Sequence, residues 1–258
     1  MNLKKLLFTC VFLLSASHSF AKINFTEHHE PDIEADVLKK GIYHLSLNML
    51  VQDDDVSADS FILPFTFSYT PIDNLEFGTA LGIISQGSDT GINDLNIGVK
   101  YQFMKEDSDK PSISGECGFI LPTADYKKNL GPGSTSIIFN WIIQKKVIDI
   151  KGFLNIGYKL NTDNPDSLRL GNEFFWNVGG GYALNKKVTA YGALNGINHA
   201  PCALNGHSVA GSSFQELYLA PGIKYASDEQ FSFYLSPLIG LTDNSYNLIL
   251  FIGMDTKL

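Results

Sequence analysis

From Gly41 onward, apolar and polar residues alternate with a period of two. The clearest run is Asp94 to Phe103. Leu95, Ile97, Val99, Tyr101 and Phe103 fall on one face, and Asp94, Asn96, Gly98, Lys100 and Gln102 on the other. Successive side chains of a strand point to opposite faces, so this segment has one greasy side and one polar side. Leu154, Ile156, Tyr158 and Leu160 alternate in the same way with Asn155, Gly157 and Lys159. Leu217, Leu219, Ile223 and Tyr225 stand against Glu216, Gly222 and Lys224. Near the end, Leu248, Leu250, Ile252 and Met254 stand against Asn247, Gly253 and Asp255. Runs of this kind predict about twelve strands, near 41–51, 60–70, 74–84, 92–104, 111–121, 134–145, 149–160, 170–184, 188–196, 213–225, 230–240 and 246–256. Each is about ten residues, which is what a tilted strand needs to cross a hydrocarbon layer. Strands of soluble proteins average nearer five or six, roughly. The pattern predicts an all-β fold over residues 41–258, a transmembrane antiparallel up-and-down β-barrel of about 12 strands.

The connections support that reading. Thr70–Asp73, Lys145–Ile148, Asn185–Lys187 and Ser227–Glu229 are short, whereas Gln52–Asp59, Pro122–Gly133, Asn161–Arg169 and Ile197–Ser212 are longer. If the first strand leaves the periplasm, all the short links fall on the periplasmic side, the asymmetry of outer-membrane barrels. Tyr43, Phe231, Tyr69, Tyr101, Phe103, Tyr182 and Tyr225 then share the periplasmic rim, as an aromatic girdle requires. One feature departs from type. Barrel assembly favours a final strand that ends on an aromatic residue, and this chain ends Asp255-Thr256-Lys257-Leu258 with Phe251 further in.

The front of the chain sets the expected compartment. Lys4 and Lys5, the apolar run Leu6–Leu14 and then Ser19-Phe20-Ala21 follow the order of a secretory signal peptide, predicted over residues 1–21. Cys10 would leave with it. Residues 22–40 are polar and acidic without a strand period, and they read as a periplasmic lead-in with a short helix around Ile33–Lys39. The His28-His29 pair there lacks a third metal ligand, and it reads as a solvated tail. The net charge of −8 becomes −10 without the two leader lysines, which argues against nucleic acid as partner. Cys117 and Cys202 could pair in an oxidising compartment, but nothing in the sequence brings them together.

Catalytic motifs are scarce. Gly179-Gly180-Gly181 lies inside a strand pattern, where a close backbone approach is the simpler explanation than a phosphate cradle. His207 and Ser208 are adjacent, so on extended chain they point apart, and a lipid-hydrolase reading stays remote. No catalytic, cofactor or metal residue is assigned. The inner face carries the candidates. Glu76, Asp94, Lys100, Lys159, Glu216, Lys224 and Asp255 are predicted to point into the lumen, because a Lys or Arg facing lipid costs about 2–4 kcal/mol at midplane. They can form a static ion-pair network, a polar pathway, or both. The same register predicts that Val99→Arg is costly and Gln102→Arg is not.

Several of these segments resemble a known family. Asp94-Leu95-Asn96-Ile97-Gly98-Val99-Lys100-Tyr101 is similar to its early strand. Leu121-Pro122-Thr123-Ala124-Asp125 and Leu130-Gly131-Pro132-Gly133-Ser134 are similar to its strand end and long glycine-rich loop. Asn155-Ile156-Gly157-Tyr158 and Pro221-Gly222-Ile223-Lys224-Tyr225 are similar to later strands. The family is the outer-membrane transporter group named for the meta-pathway of phenol degradation, and the resemblance runs over nearly all of the chain from Gly41. It implies a barrel that takes up small, organic or aromatic molecules, is not an enzyme and needs no cofactor. The implied partners are outer-membrane lipid and lipopolysaccharide, the barrel-assembly machinery and a small-molecule solute. A structural or surface-interaction barrel without transport is the alternative, with a loop such as Ile197–Ser212 binding the partner.

Overall fold

The computed structural model describes residues 34–53, 60–227 and 230–258. Its strands are β1 (Tyr43–Asp53), β2 (Ser60–Ile72), β3 (Leu75–Gln86), β4 (Leu95–Met104), β5 (Ser112–Leu121), β6 (Ser136–Val147), β7 (Ile150–Asn161), β8 (Glu173–Ala183), β9 (Val188–His199), β10 (Phe214–Ala226), β11 (Phe231–Gly240) and β12 (Leu248–Lys257). Each pairs antiparallel with its chain neighbour. β1 pairs with both β2 and β12, which closes the sheet into a twelve-stranded up-and-down barrel. Closure removes the two free edges that an open sheet would present. The ends meet at the seam, where Tyr43 N donates to Leu258 O at 3.0 Å and Leu258 N to Tyr43 O at 2.8 Å.

The alternation read from sequence sets which side chains face out. Phe65, Phe77, Trp141, Val178 and Ile223 stand exposed on the outer wall, while Asn96, Asn140, Asn177 and Asn195 are buried inside. An apolar belt of this extent has no place in water and suits lipid. At the short-turn end, Tyr43 stacks on Tyr69 with centroids 4.5 Å apart, and Phe103 lies 5.0 Å from Tyr101 and 5.2 Å from Trp141. Tyr182 and Tyr225 are exposed on the same rim.

Short turns join the strands at this end. In the β6–β7 turn, Ile148 has φ 57° and is 85% exposed, a left-handed conformation that a β-branched residue adopts only under strain. The β4–β5 turn is held by Asp107, whose Oδ1 accepts the amides of Asp109 and Lys110, each at 2.8 Å. Those two amides, and Lys145 less strongly, hold its carboxyl below 3.8.

The opposite end carries the longer loops. Asp125 caps the short 3₁₀ turn Tyr126–Lys128 within the β5–β6 loop. Ala124 and Leu130 of that loop fold inward and, with Tyr246, join the apolar cluster of Leu50, Ile62 and Ile84 on the inner wall. The β7–β8 and β9–β10 loops form a small sheet of Leu168–Arg169, Ala203–Leu204 and His207–Ser208, and Leu168, Leu170, Cys202 and Val209 pack beneath it. Cys202 sits in that cluster and Cys117 on β5, and neither forms a disulfide.

The front of the chain is described only from Glu34. His28-His29 lies outside the described residues. Residues 34–39 form no helix. Glu34–Asp36, in the segment read as a periplasmic lead-in, runs against the inner wall at the short-turn end, where Ala35 is fully buried.

Candidate functional site: the inner wall

The period of two places a polar or small residue at most inward positions of the wall, and the antiparallel register decides which of them meet. Glu76, Lys100 and Glu116 oppose one another across β3, β4 and β5. Lys100 Nζ lies 3.7 Å from Glu116, and Asn140 of β6 donates to Glu116 Oε2 at 3.0 Å. A second chain crosses β7 to β10 nearer the long loops. Lys159 Nζ lies 3.1 Å from Glu173, His199 Nδ1 lies 3.9 Å from Glu173, and His199 Nε2 lies 2.9 Å from Glu216. Tyr218 donates its hydroxyl to Glu216 at 2.5 Å, and Phe214 stacks on His199. A third pair bridges the seam, His44 Nε2 to Asp255 at 3.3 Å. Charges this deeply buried are tolerated because each has a partner of opposite sign or a hydrogen bond.

Aromatic rings lie between these groups, and they lie flat because the neighbouring strand has a glycine. Phe175 covers Gly157, Tyr191 covers Gly222 and Tyr234 covers Gly253. A Cβ at any of these glycines would fall inside the ring. Gly179 likewise lets the Phe153 ring and the Gly192 carbonyl approach its backbone. The glycine triplet is therefore part of β8, with no strand-to-helix turn around it. Leu50, Ile62, Ile84, Leu238, Ile249 and Phe251 also face inward, so the wall is more apolar than its alternation suggested.

The chain entering from the short-turn end is hydrogen-bonded to this wall. Lys100 Nζ donates to Glu34 O, Ser114 Oγ to Ala35 O, and Ala35 N to Gln144 Oε1. The Asp36 carboxylate accepts from Gln102 Nε2 at 2.9 Å, Ser112 Oγ at 2.8 Å and Gln144 Nε2 at 3.2 Å. Leu38 N donates to Glu76 Oε2 at 3.3 Å. Gln102 is therefore a fixed part of this anchorage rather than a solvated lumen residue, and Gln102→Arg is not the costless change that the pattern implied. A cleft of about 600 Å³ remains between the segment and the end of β12, lined by Val37, Leu38, Gln230, Lys257 and others.

Of the seven sequence candidates, Glu76, Lys100, Lys159, Glu216 and Asp255 are buried on the inner wall in these networks. Lys224 stands at the short-turn mouth, 3.4 Å from Glu34 and 5.8 Å above the Tyr234 ring. Asp94 lies just before β4, and its Oδ1 accepts Ala124 N at 2.8 Å, so it ties down the β5–β6 loop. Glu116, Glu173, His199 and His44 were missed. Glu116 was legible, since Ser112, Ser114, Glu116 and Gly118 alternate with Ile113, Cys117 and Phe119. Glu173 and His199 sit at strand ends, where a pattern gives no phase. Both His207 and Ser208 are exposed on a two-residue strand, where neighbours point to opposite faces. Among the described residues, no group of three His, Cys, Asp or Glu is placed to hold a metal ion.

A closed twelve-stranded antiparallel barrel with an apolar outer belt and a largely polar inner wall is the fold of outer-membrane β-barrels. The chain belongs to the family described as "Putative MetA-pathway of phenol degradation", whose model matches residues 45–255. An outer-membrane channel from Pseudomonas putida F1 is similar in structure, with a TM-score of 0.72 and 14% identity over 87% of this chain and 98% of that one. The NanC porin gives a TM-score of 0.57 and 14% identity over 83% of this chain and 100% of that one. For the KdgM porin the values are 0.53 and 11%, over 83% and 98%. No curated protein sequence matches significantly.

Proposed function

We propose that this protein is a passive outer-membrane channel for small aromatic compounds that carry a polar group. The observation that supports this reading is the composition of the inner wall, where flat rings alternate with buried hydrogen-bonding charges. Passage requires the packed inner wall to give way, and a ring can then stack on Phe153, Phe175 and Tyr234 while its hydroxyl or carboxyl exchanges partners with the neighbouring networks. Glu76, Lys100, Lys159, Glu216, Lys224 and Asp255 are the pathway residues of this proposal, joined by Glu116, Glu173 and His199. Asp94 serves it by holding the loop at the outer rim. The chain is exported by its leader, residues 1–21, and inserted by the barrel-assembly machinery. Its outer belt contacts lipid and lipopolysaccharide.

The test is flux through the folded, purified barrel. In planar bilayers and swelling liposomes, the protein is expected to conduct ions and to admit phenol-sized solutes faster than sugars of similar mass. Glu76, Glu116, Glu173, Glu216 and Asp255 outnumber Lys100 and Lys159 by five to two on the buried inner wall, so potassium is expected to pass more readily than chloride. A folded sample with neither conductance nor solute flux would overturn the channel and leave a structural barrel.

A further inference from the structure

The short-turn mouth holds an unusual concentration of positive charge. Lys146 and Lys151 come from the β6–β7 hairpin, Lys186 and Lys187 from the β8–β9 turn, and Lys224 from β10, and together they line one recess of about 220 Å³. The acids lining it are Glu34 and Asp149. Five lysines against two acids leave a surplus of three positive charges around a space of small-molecule size. Like charges gathered this closely repel one another, and a bound anion relieves the repulsion.

One carboxylate already occupies the recess. Glu34 Oε1 lies 3.4 Å from Lys224 Nζ and 3.7 Å from Lys151 Nζ, so a single oxygen is shared by ammonium groups from two strands that are not neighbours. The side chains of Lys224 and Lys151 are each 20% exposed, sheltered enough to hold a charge and open enough to exchange it. Glu34 is held there by its own backbone, through Lys100 and the Ala35–Gln144 and Ala35–Ser114 bonds. Its carboxylate is delivered by a tether rather than built into the wall.

We propose that this lysine-lined recess is a binding site for the carboxylate of a small organic acid, with Glu34 as its tethered competitor. On the channel reading, the site lies where a solute would leave the barrel. An acid arriving through the lumen displaces Glu34 from Lys224 and Lys151, and the returning Glu34 displaces the acid toward the periplasm. No covalent step is involved.

The experiment is equilibrium dialysis of radiolabelled benzoate against the mature, folded barrel in detergent, which measures binding whether or not the protein conducts. A tethered carboxylate competes at an effective concentration in the millimolar range, so Glu34→Gln is expected to tighten benzoate binding roughly tenfold. Lys151→Met with Lys224→Met is expected to abolish binding, and uncharged benzamide is expected not to compete. If the double variant does not fold, judged by heat-modifiable gel mobility, Lys186→Met with Lys187→Met on the exposed turn replaces it, with a loss of at least several-fold expected. Equal binding by the wild type, Glu34→Gln and the lysine variants would overturn the site, as would competition by benzamide. Benzoate binding in a barrel without conductance would retain the site and remove the channel, and conductance without Glu34-sensitive binding would do the reverse.

Discussion

Lys159 and Glu173 face each other across β7 and β8 with their charged atoms 3.1 Å apart, and both side chains are sealed from solvent. Removing one partner leaves the other charge buried. Lys159→Met is therefore expected to destabilise the folded barrel by about 3–5 kcal/mol, and Lys159→Met combined with Glu173→Leu is expected to recover much of that loss. Urea unfolding in lipid vesicles measures both. A double variant no better than the single one would show that the pair is not the source of the cost.

Phe175 and Gly157 predict a steric version of the same dependence. A Cβ at position 157 would collide with the ring and with the Phe139 carbonyl. Gly157→Ala is expected to cost about 1–3 kcal/mol as an overpacked substitution. Phe175→Leu in the same chain should return part of it, and a double-mutant cycle reads the coupling. Strict additivity would mean that the ring does not lie on the glycine.

The register of β4 has its own test. With Cys117 and Cys202 replaced, single cysteines along 94–103 should label with a lipid-soluble thiol reagent at odd positions and be protected from it at the buried even positions. Labelling at Gln102 should be slow, since Asp36 and Ser112 hold that site. Val99→Arg is expected to cost about 2–4 kcal/mol if the site lies near midplane. The opposite labelling phase would put the wrong face toward lipid.

At Ile148 the prediction is a gain. Its φ of 57° suits glycine or asparagine, and its side chain is 85% exposed. Ile148→Gly should stabilise the β6–β7 turn by about 1 kcal/mol. A lower urea midpoint for the variant would show that the turn relaxes in some other way.

Asp107 ties the β4–β5 turn to pH. Its carboxyl is held below 3.8 in the folded state, so the turn gains stability that is present above pH 3.8 and lost as pH falls through the lower folded value. Amide exchange at Asp109 and Lys110 should speed up below that pH, relative to the pH dependence of an unstructured amide. In Asp107→Asn the extra acceleration should vanish. An unchanged acid response in that variant would assign the effect to another group.

The primary structure settled the barrel and its phase, because a wall with lipid on one side and polar groups on the other must write its alternation into every strand. All twelve predicted segments coincide with observed strands to within a few residues, and Leu95, Ile97, Val99 and Tyr101 face outward as read. Glu76, Lys100, Lys159, Glu216 and Asp255 were placed inside by the same rule. What the alternation does not contain is the stagger between strands. Lys159 meets Glu173, His199 meets Glu216 and His44 meets Asp255 only because closure fixes which residues stand opposite, and partners 14, 17 and 211 residues apart carry no local signal. The segment before β1 shows the same limit more sharply. Glu34, Ala35 and Asp36 read as a periplasmic lead-in because they lack a strand period. Only the closed barrel presents Gln102, Ser112, Gln144 and the lysines of the mouth in one place, and there the polarity of the segment matches the wall that holds it.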